Sequence, residues 1–223
     1  KTIKSLQDNS VDTLVWNREL CEAISNTSHV DSFLTALYHN ESIRHIELCW
    51  EVQTIESQRS ELTLLDALRN IPHVESLLLG DVEGSGWDST LLMKCLLSRS
   101  PAWKRICIRT SLCISSSREA SELGIALGNN WKTLEYVYFQ NLHDENCAEP
   151  PLNHVLFVLA HAPNLKHFEI HGCCTNPRLD ALKNVLERDN LKTFIAPCLR
   201  VTDRVLSDLS TILGKNMECI EMQ

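Results

Sequence analysis

Residues 164–174 read NLKHFEIHGCC and bring His167, Glu169, His171, Cys173 and Cys174 into one short run. Imidazole, carboxylate and thiolate are the ligand types of zinc sites, so metal binding is the first chemistry to weigh. The spacing is not HExxH, in which a helix carries two histidines at i and i+4 on one face. On a strand, His167 and His171 start about 13 Å apart at about 3.3 Å per residue, too far for one ion. A narrower site from His171 with Cys173, Cys174 or His143 stays open. A Cys–His nucleophile would need an oriented base and an oxyanion hole, and nothing in the sequence specifies either. GDVEGSGWD (80–88) is glycine-rich, but it lacks the GK[ST] ending of a phosphate loop and reads as a loop capped by Asp88. ISSSREASE (114–122) pairs Ser116 with Glu119 as a capping box, although phosphate would also suit that helix start. The expectation is therefore no catalytic residue, no cofactor and no metal site.

Whether these residues sit on helix or strand follows from a pattern that recurs along the chain. An apolar motif φxxφxφ starts at Val11, Ile43, Val74, Trp103, Leu134, Leu165, Leu191 and Met217, in steps of 26 to 32 residues. Eight copies at a near-constant period mark a repeat architecture. Between copies the apolar spacing becomes helical, as in Val30-Phe33-Leu34-Leu37, Leu62-Leu65-Leu68, Leu92-Cys95-Leu96, Leu123-Ala126-Leu127, Val155-Leu156-Leu159, Leu179-Leu182-Val185-Leu186 and Val205-Leu209-Ile212. Start signals precede these runs at Asp88 or Ser89, at Ser116, at Pro150-Pro151 and at Thr202. Pro72, Pro101 and Pro163 stop three of them just before the next motif. The unit is a short strand, a loop, a helix and a turn.

ALRNIPHVESLLL, LAHAPNLKHFEI and LERDNLKTFI resemble the helix end and LxxLxL signature of the leucine-rich repeat family, in its longer ribonuclease-inhibitor-like class. The resemblance runs from about Val11 to Met222. It implies an α/β leucine-rich repeat solenoid: a curved right-handed β-α superhelix with a parallel concave sheet and helices on the convex side. It also implies one domain of about eight strand repeats over residues 1–223. The family's Asn or Cys, three residues past the last strand apolar, is met only at Cys173. Glu19, Glu51, Val82, Ser111, Leu142 and Leu199 hold the other positions, so irregular loops are expected there, most of all in GDVEGSGWDS and TSLCISSSRE.

Strand alternation then sorts the motif. Its fourth and sixth positions face the core, and its third, fifth and seventh face outward. The outward positions give the candidate partner-binding surface: His45, Glu47, Arg105, Arg109, Tyr136, Tyr138, Gln140, His167, Glu169 and His171. Two of the three tyrosines fall there, and Tyr and Arg dominate interface hot spots.

Composition narrows the partners. With 21 basic and 29 acidic side chains the net charge is −8, which disfavours general nucleic-acid binding. No run of about 18 apolar residues spans a membrane, and the first residues lack a signal-peptide core. The ten cysteines form no CxxC pair, and five of them, Cys49, Cys95, Cys107, Cys173 and Cys219, fall in or just after apolar runs, where a small buried hydrophobe is expected. Sequons at Asn26 and Asn40 are no more than chance supplies, and the chain reads as intracellular, cytoplasmic in the first instance. The missing initiator Met and the polar-cap-free final motif suggest a fragment of a larger protein, or self-association through a terminal repeat. The expected function is a non-catalytic protein-protein interaction module, and the leucine-rich repeat resemblance implies the recognition arm of a ubiquitin-ligase adaptor or of an immune-type receptor. The alternative is a structural subunit packed through its ends or helices.

Overall fold

The computed structural model describes residues 2–17, 19–20, 27–49, 71, 73–80, 103–144, 149–173, 177–200, 203–214 and 216–222. The helical patterns expected around 62–68 and 92–96, the loop at 81–88, Asn26, Pro72, Cys95, Pro101, Cys174 and Thr202 lie outside the described residues.

Each apolar motif becomes a strand. They are β1 (Thr13–Trp16), β2 (His45–Leu48), β3 (Ser76–Leu79), β4 (Arg105–Ile114), β5 (Tyr136–Asp144), β6 (His167–Cys173), β7 (Thr193–Ala196) and β8 (Cys219–Met222). They form one eight-stranded sheet in chain order, every neighbouring pair parallel and in the register of the motif: Thr13, His45, Ser76, Arg105, Tyr136, His167, Thr193 and Cys219 are successive partners. The described helices are α1 (Thr2–Gln7), α2 (Thr27–Tyr38), α3 (Ser117–Gly128), α4 (Pro151–Leu159), α5 (Leu179–Leu186) and α6 (Asp203–Ser210). The fold is thus α/β on a parallel sheet. Among the described residues, no helix is long and apolar enough to cross a membrane.

One face of the sheet and the inner faces of the helices share a single core. Ile46, Leu48, Leu77, Leu79, Ile106, Ile108, Val137, Phe139, Phe168 and Ile170 on the strands are buried with Phe33, Leu37, Leu123, Leu127, Leu156, Leu159, Leu182 and Leu186 on the helices. Full burial of one such side chain contributes about 1.5–3 kcal/mol, so the repeated motif is the main source of stability. Burial stops at β8, where Ile220 is 36% exposed.

The turns entering the strands carry polar wiring. Asn40 is wholly buried: its Nδ2 donates to the Leu6 carbonyl at 2.7 Å, and its Oδ1 accepts from the Ile43 and Ser42 amides. That nitrogen is the one a glycan would need, so Asn40 is closed to glycosylation in the fold. Asn130 plays the same part, donating to Ala126 O and accepting from the Trp103 amide. Just before the strands, Asn164, Asn190 and Asn216 each donate to a carbonyl of the preceding repeat, at Lys132, Pro163 and Asp189. Ser42 and Thr133 do the same to Val11 O and Trp103 O. These bonds satisfy backbone groups that would otherwise lack partners at the turns. The position three residues past the last strand apolar is mostly apolar. Leu142 and Leu199 are buried there, and Cys173 packs against the core.

The second motif position forms a row of charge: Asp12, Arg44, Glu75, Lys104, Glu135, Lys166, Lys192 and Glu218. Signs alternate at every step but one. Lys104 meets Glu75 at 2.8 Å, Lys166 meets Glu135 at 2.8 Å and Lys192 meets Glu218 at 2.7 Å. At the like-charged step, Lys166 and Lys192 turn to opposite neighbours. Exposed pairs of this kind contribute little individually, at about 0–1 kcal/mol, but matched lateral pairs favour one register over another.

Two expectations need correction. TSLCISSSRE (110–119) was expected to be an irregular loop, but β4 continues to Ile114. Leu112 and Ile114 are fully buried, so the alternation of a strand persists past the motif. A one-residue register shift between Ile108 and Ser111 lets Leu112, not Ser111, lie beside Leu142. The post-strand segment of β5 is likewise strand through Asp144. The capping box is present with altered wiring: Ser116 Oγ accepts from the Glu119 amide, while the Glu119 carboxylate reaches the Ser115 amide and hydroxyl.

Candidate binding surface on the open face of the sheet

The sheet face turned away from the helices carries the third, fifth and seventh motif positions. On β4, β5 and β6 these positions form three rows. The first is Arg105, Tyr136 and His167, aligned by direct register. The second is Cys107, Tyr138 and Glu169, again in register. Arg109, Gln140 and His171 follow at the next outward positions along each strand.

The first row is a stack. Tyr136 and His167 lie with ring centroids 4.5 Å apart and planes within 6° of parallel. The Arg105 guanidinium sits 4.8 Å from the Tyr136 centroid. Parallel strands about 4.8 Å apart place lateral neighbours at stacking distance, so the backbone register produces this platform. Burial raises the Tyr136 phenol above its usual pKa, with the Cys107 and Glu169 charges adding to it against Arg105, so the ring stays neutral.

Hydrogen bonds along β6 join all three rows. His167 Nε2 lies 2.9 Å from Glu169 Oε2, and His171 Nε2 contacts Oε1. One carboxylate therefore ties together two imidazoles whose backbones are four residues apart. Burial raises the Glu169 pKa, but the hydrogen bonds from His171 and His167 outweigh it and hold the group below the usual carboxylate range. The Glu169 side chain is only 18% exposed, against 39% for His171, so the acid is shielded and the imidazole faces outward. The Tyr138 hydroxyl donates to Gln140 Oε1, and the Tyr138 ring lies 5.7 Å from that of His171. With Glu169 engaged, Arg105 and Arg109 remain as exposed cations on the β4 side.

Eight of the ten expected surface residues are thus brought together. His45 and Glu47 are not: they lie on β2, separated from β4 by β3, which presents Ser76 and Leu78. Glu47 instead accepts from Cys49 Sγ at 3.3 Å. Burial, with this hydrogen bond and the Glu47 charge, pushes the Cys49 thiol up to about 11.

Two residues not singled out from the sequence complete the surface. Cys107 sits on its β4 side, between Arg105 and Arg109, and burial raises its thiol pKa despite the opposing pull of Arg109 and Arg105, so it is a poor nucleophile near neutral pH. Its outward parity was legible in the motif, but its type suggested core. Gly172 is the second. A β-carbon there would fall 1.9 Å from Asn141 Oδ1, so the glycine lets Asn141 lie across the end of β6. Asn141 then reaches Ser111 Oγ on β4 at 3.2 Å, tying all three strands together.

Among the described residues, no group of three or more His, Cys, Asp or Glu side chains is arranged to hold a metal ion. The surface offers neutral aromatic area, a shielded acid and peripheral cations. No protein-family model matches the chain, and no curated protein matches it significantly.

Proposed function

We propose that the chain is a leucine-rich repeat solenoid whose concave face, centred on β4–β6, binds an acidic, aromatic-containing segment of a protein partner without catalysis. The reading takes it as the recognition arm of an intracellular protein. The observation that carries it is the Arg105–Tyr136–His167 stack beside the Tyr138–Gln140 and Glu169–histidine pairs. These side chains are held in place before any partner arrives, which lowers the ordering cost of binding. In a chain of net charge −8, the exposed Arg105 and Arg109 favour an acidic segment at this spot. The neutral Cys107 and Tyr136 support a non-catalytic role.

Selection of peptides from a displayed random library tests this. Acidic peptides with an aromatic residue are expected to be enriched and to bind one per chain by calorimetry. Changing Arg105, Tyr136 and Tyr138 together to Ala is expected to weaken them at least about 30-fold, from a loss of about 2 kcal/mol at hot-spot positions. Equal binding by the triple variant, or tighter and salt-sensitive binding of single-stranded RNA to the stacked rings, contradicts the proposal.

A second reading, as a subunit packed into an assembly through its helices or ends, is favoured by Phe157 and Ile125. These side chains are 66% and 59% exposed on the adjacent helices α4 and α3. Phe157 also borders a cavity of about 380 Å³ lined by Glu149, His154, Arg178 and Asp180. In that case Phe157→Ala, and not the triple variant, would abolish association.

A further inference from the structure

Cys173 ends β6, and Cys198 occupies the turn just after β7, one repeat later. Their sulfurs lie 2.8 Å apart, with the Cys173 thiol donating to Cys198 Sγ, and both residues are half-buried. A disulfide needs about 2.05 Å, so the two side chains stand less than about 1 Å short of bonding. The contact falls at a seam. The β6–β7 ladder ends at Glu169–Ile195, while β6 stays paired with β5 as far as Cys173. Past that point this sulfur contact, together with a hydrogen bond that Cys198 Sγ donates to Ile170 O at 3.5 Å, bridges the two repeats.

We propose that Cys173 and Cys198 form a reversible disulfide that staples the sixth repeat to the seventh, with Cys198 meeting the oxidant and Cys173 resolving it. The oxidant is a hydroperoxide. The Cys198 thiolate attacks one peroxide oxygen, the O–O bond breaks, and the second oxygen leaves as hydroxide or alkoxide and takes a proton. Cys198 becomes a sulfenic acid. The Cys173 sulfur then attacks that sulfur, the S–S bond forms, the S–O bond breaks, and hydroxide leaves with the Cys173 proton as water. Two thiols and one hydroperoxide give one disulfide, one alcohol or water, and one water. The assignment of roles follows the contacts: Cys198 Sγ accepts from the Cys173 thiol, and once its own proton, donated to Ile170 O, has left, that accepted hydrogen bond steadies the thiolate. Consistently, the Cys173 hydrogen bond holds the Cys198 thiol low against its burial, helped by a backbone hydrogen bond and by His171. Cys49 is the opposite case, held protonated by burial and Glu47.

The test treats the reduced full chain with about one equivalent of hydrogen peroxide, quenches it, unfolds it and counts thiols. Ten thiols are expected to fall to eight and to return to ten with dithiothreitol. Tryptic mapping should show peptide 167–178 joined to peptide 193–200, unchanged in Cys174→Ser and absent from Cys173→Ser and Cys198→Ser. Amide exchange at 170–173 and 196–199 should slow on oxidation. The proposal is overturned if the link persists in Cys173→Ser, if other cysteines pair first, or if both thiols survive peroxide.

Discussion

Strands β4–β6 and the flanking strands share one parallel register and one core face, and they differ in length and on the open face. The flanking strands are four residues long, whereas β4, β5 and β6 run to ten, nine and seven. On the helix side the two regions are alike: Leu77 on β3 and Phe139 on β5 are equally buried. On the open side β3 presents Ser76 and Leu78 and β7 presents Thr193 and Ile195, while β4–β6 present arginines, tyrosines, histidines and a shielded glutamate. A repeat must keep its core face to fold, and it is free to vary its open face. Concentrated chemistry on three adjacent open-face strands is therefore not something the core demands.

The sharpest way to break the comparison is on the shared face. Leu77→Ala and Phe139→Ala are each expected to cost about 3–5 kcal/mol by urea unfolding, because both empty a fully buried site. If only the β5 change were costly, the two regions would not share one core. The turn asparagines give a smaller effect. Asn40→Ala and Asn130→Ala should each cost about 1–3 kcal/mol, since each strips buried backbone groups of their partner. A loss confined to one of them would mean that the wiring is local to its turn.

The smallest effect belongs to the patch alone. Glu169 has a folded pKa below its unfolded value, so its contribution is present above about pH 4.3 and is lost as pH falls through the folded value. Between about pH 6 and pH 3, the wild type should lose more stability than Glu169→Gln, in urea midpoints taken at each pH. Parallel acid limbs would show that the two histidines do not stabilise the carboxylate.

The strands were legible because a period-2 core face inside a repeat of about 29 residues leaves one reading. The sites were half legible. Parity put Tyr136, His167 and Glu169 on the open face, but it could not show that Tyr136 and His167 stack or that His171 folds back onto Glu169. Those contacts depend on rotamers and on lateral spacing. The prolongation of β4 was visible in Leu112 and Ile114, two apolar residues at strand parity, and was masked by the serines that follow. The alternating charge row was visible as well, but only once the motifs are aligned and their second positions compared. The Cys173–Cys198 contact was not visible, since 25 residues separate the two and only the register of neighbouring repeats joins them. Helix α1 is too short to show a helical period, yet it buries Leu6 and supplies the carbonyl that Asn40 needs.

We propose that the open face of β4–β6 recognises a partner and the flanks do not. Calorimetry with one selected acidic peptide tests it on three proteins: wild type, the Arg105, Tyr136 and Tyr138 triple alanine variant, and a flank variant with Leu78 and Ile195 changed to Ala. At least about a 30-fold loss is expected for the patch variant and less than about a threefold change for the flank variant, with both still folded. Equal affinity for all three, or a loss confined to the flank variant, would contradict it.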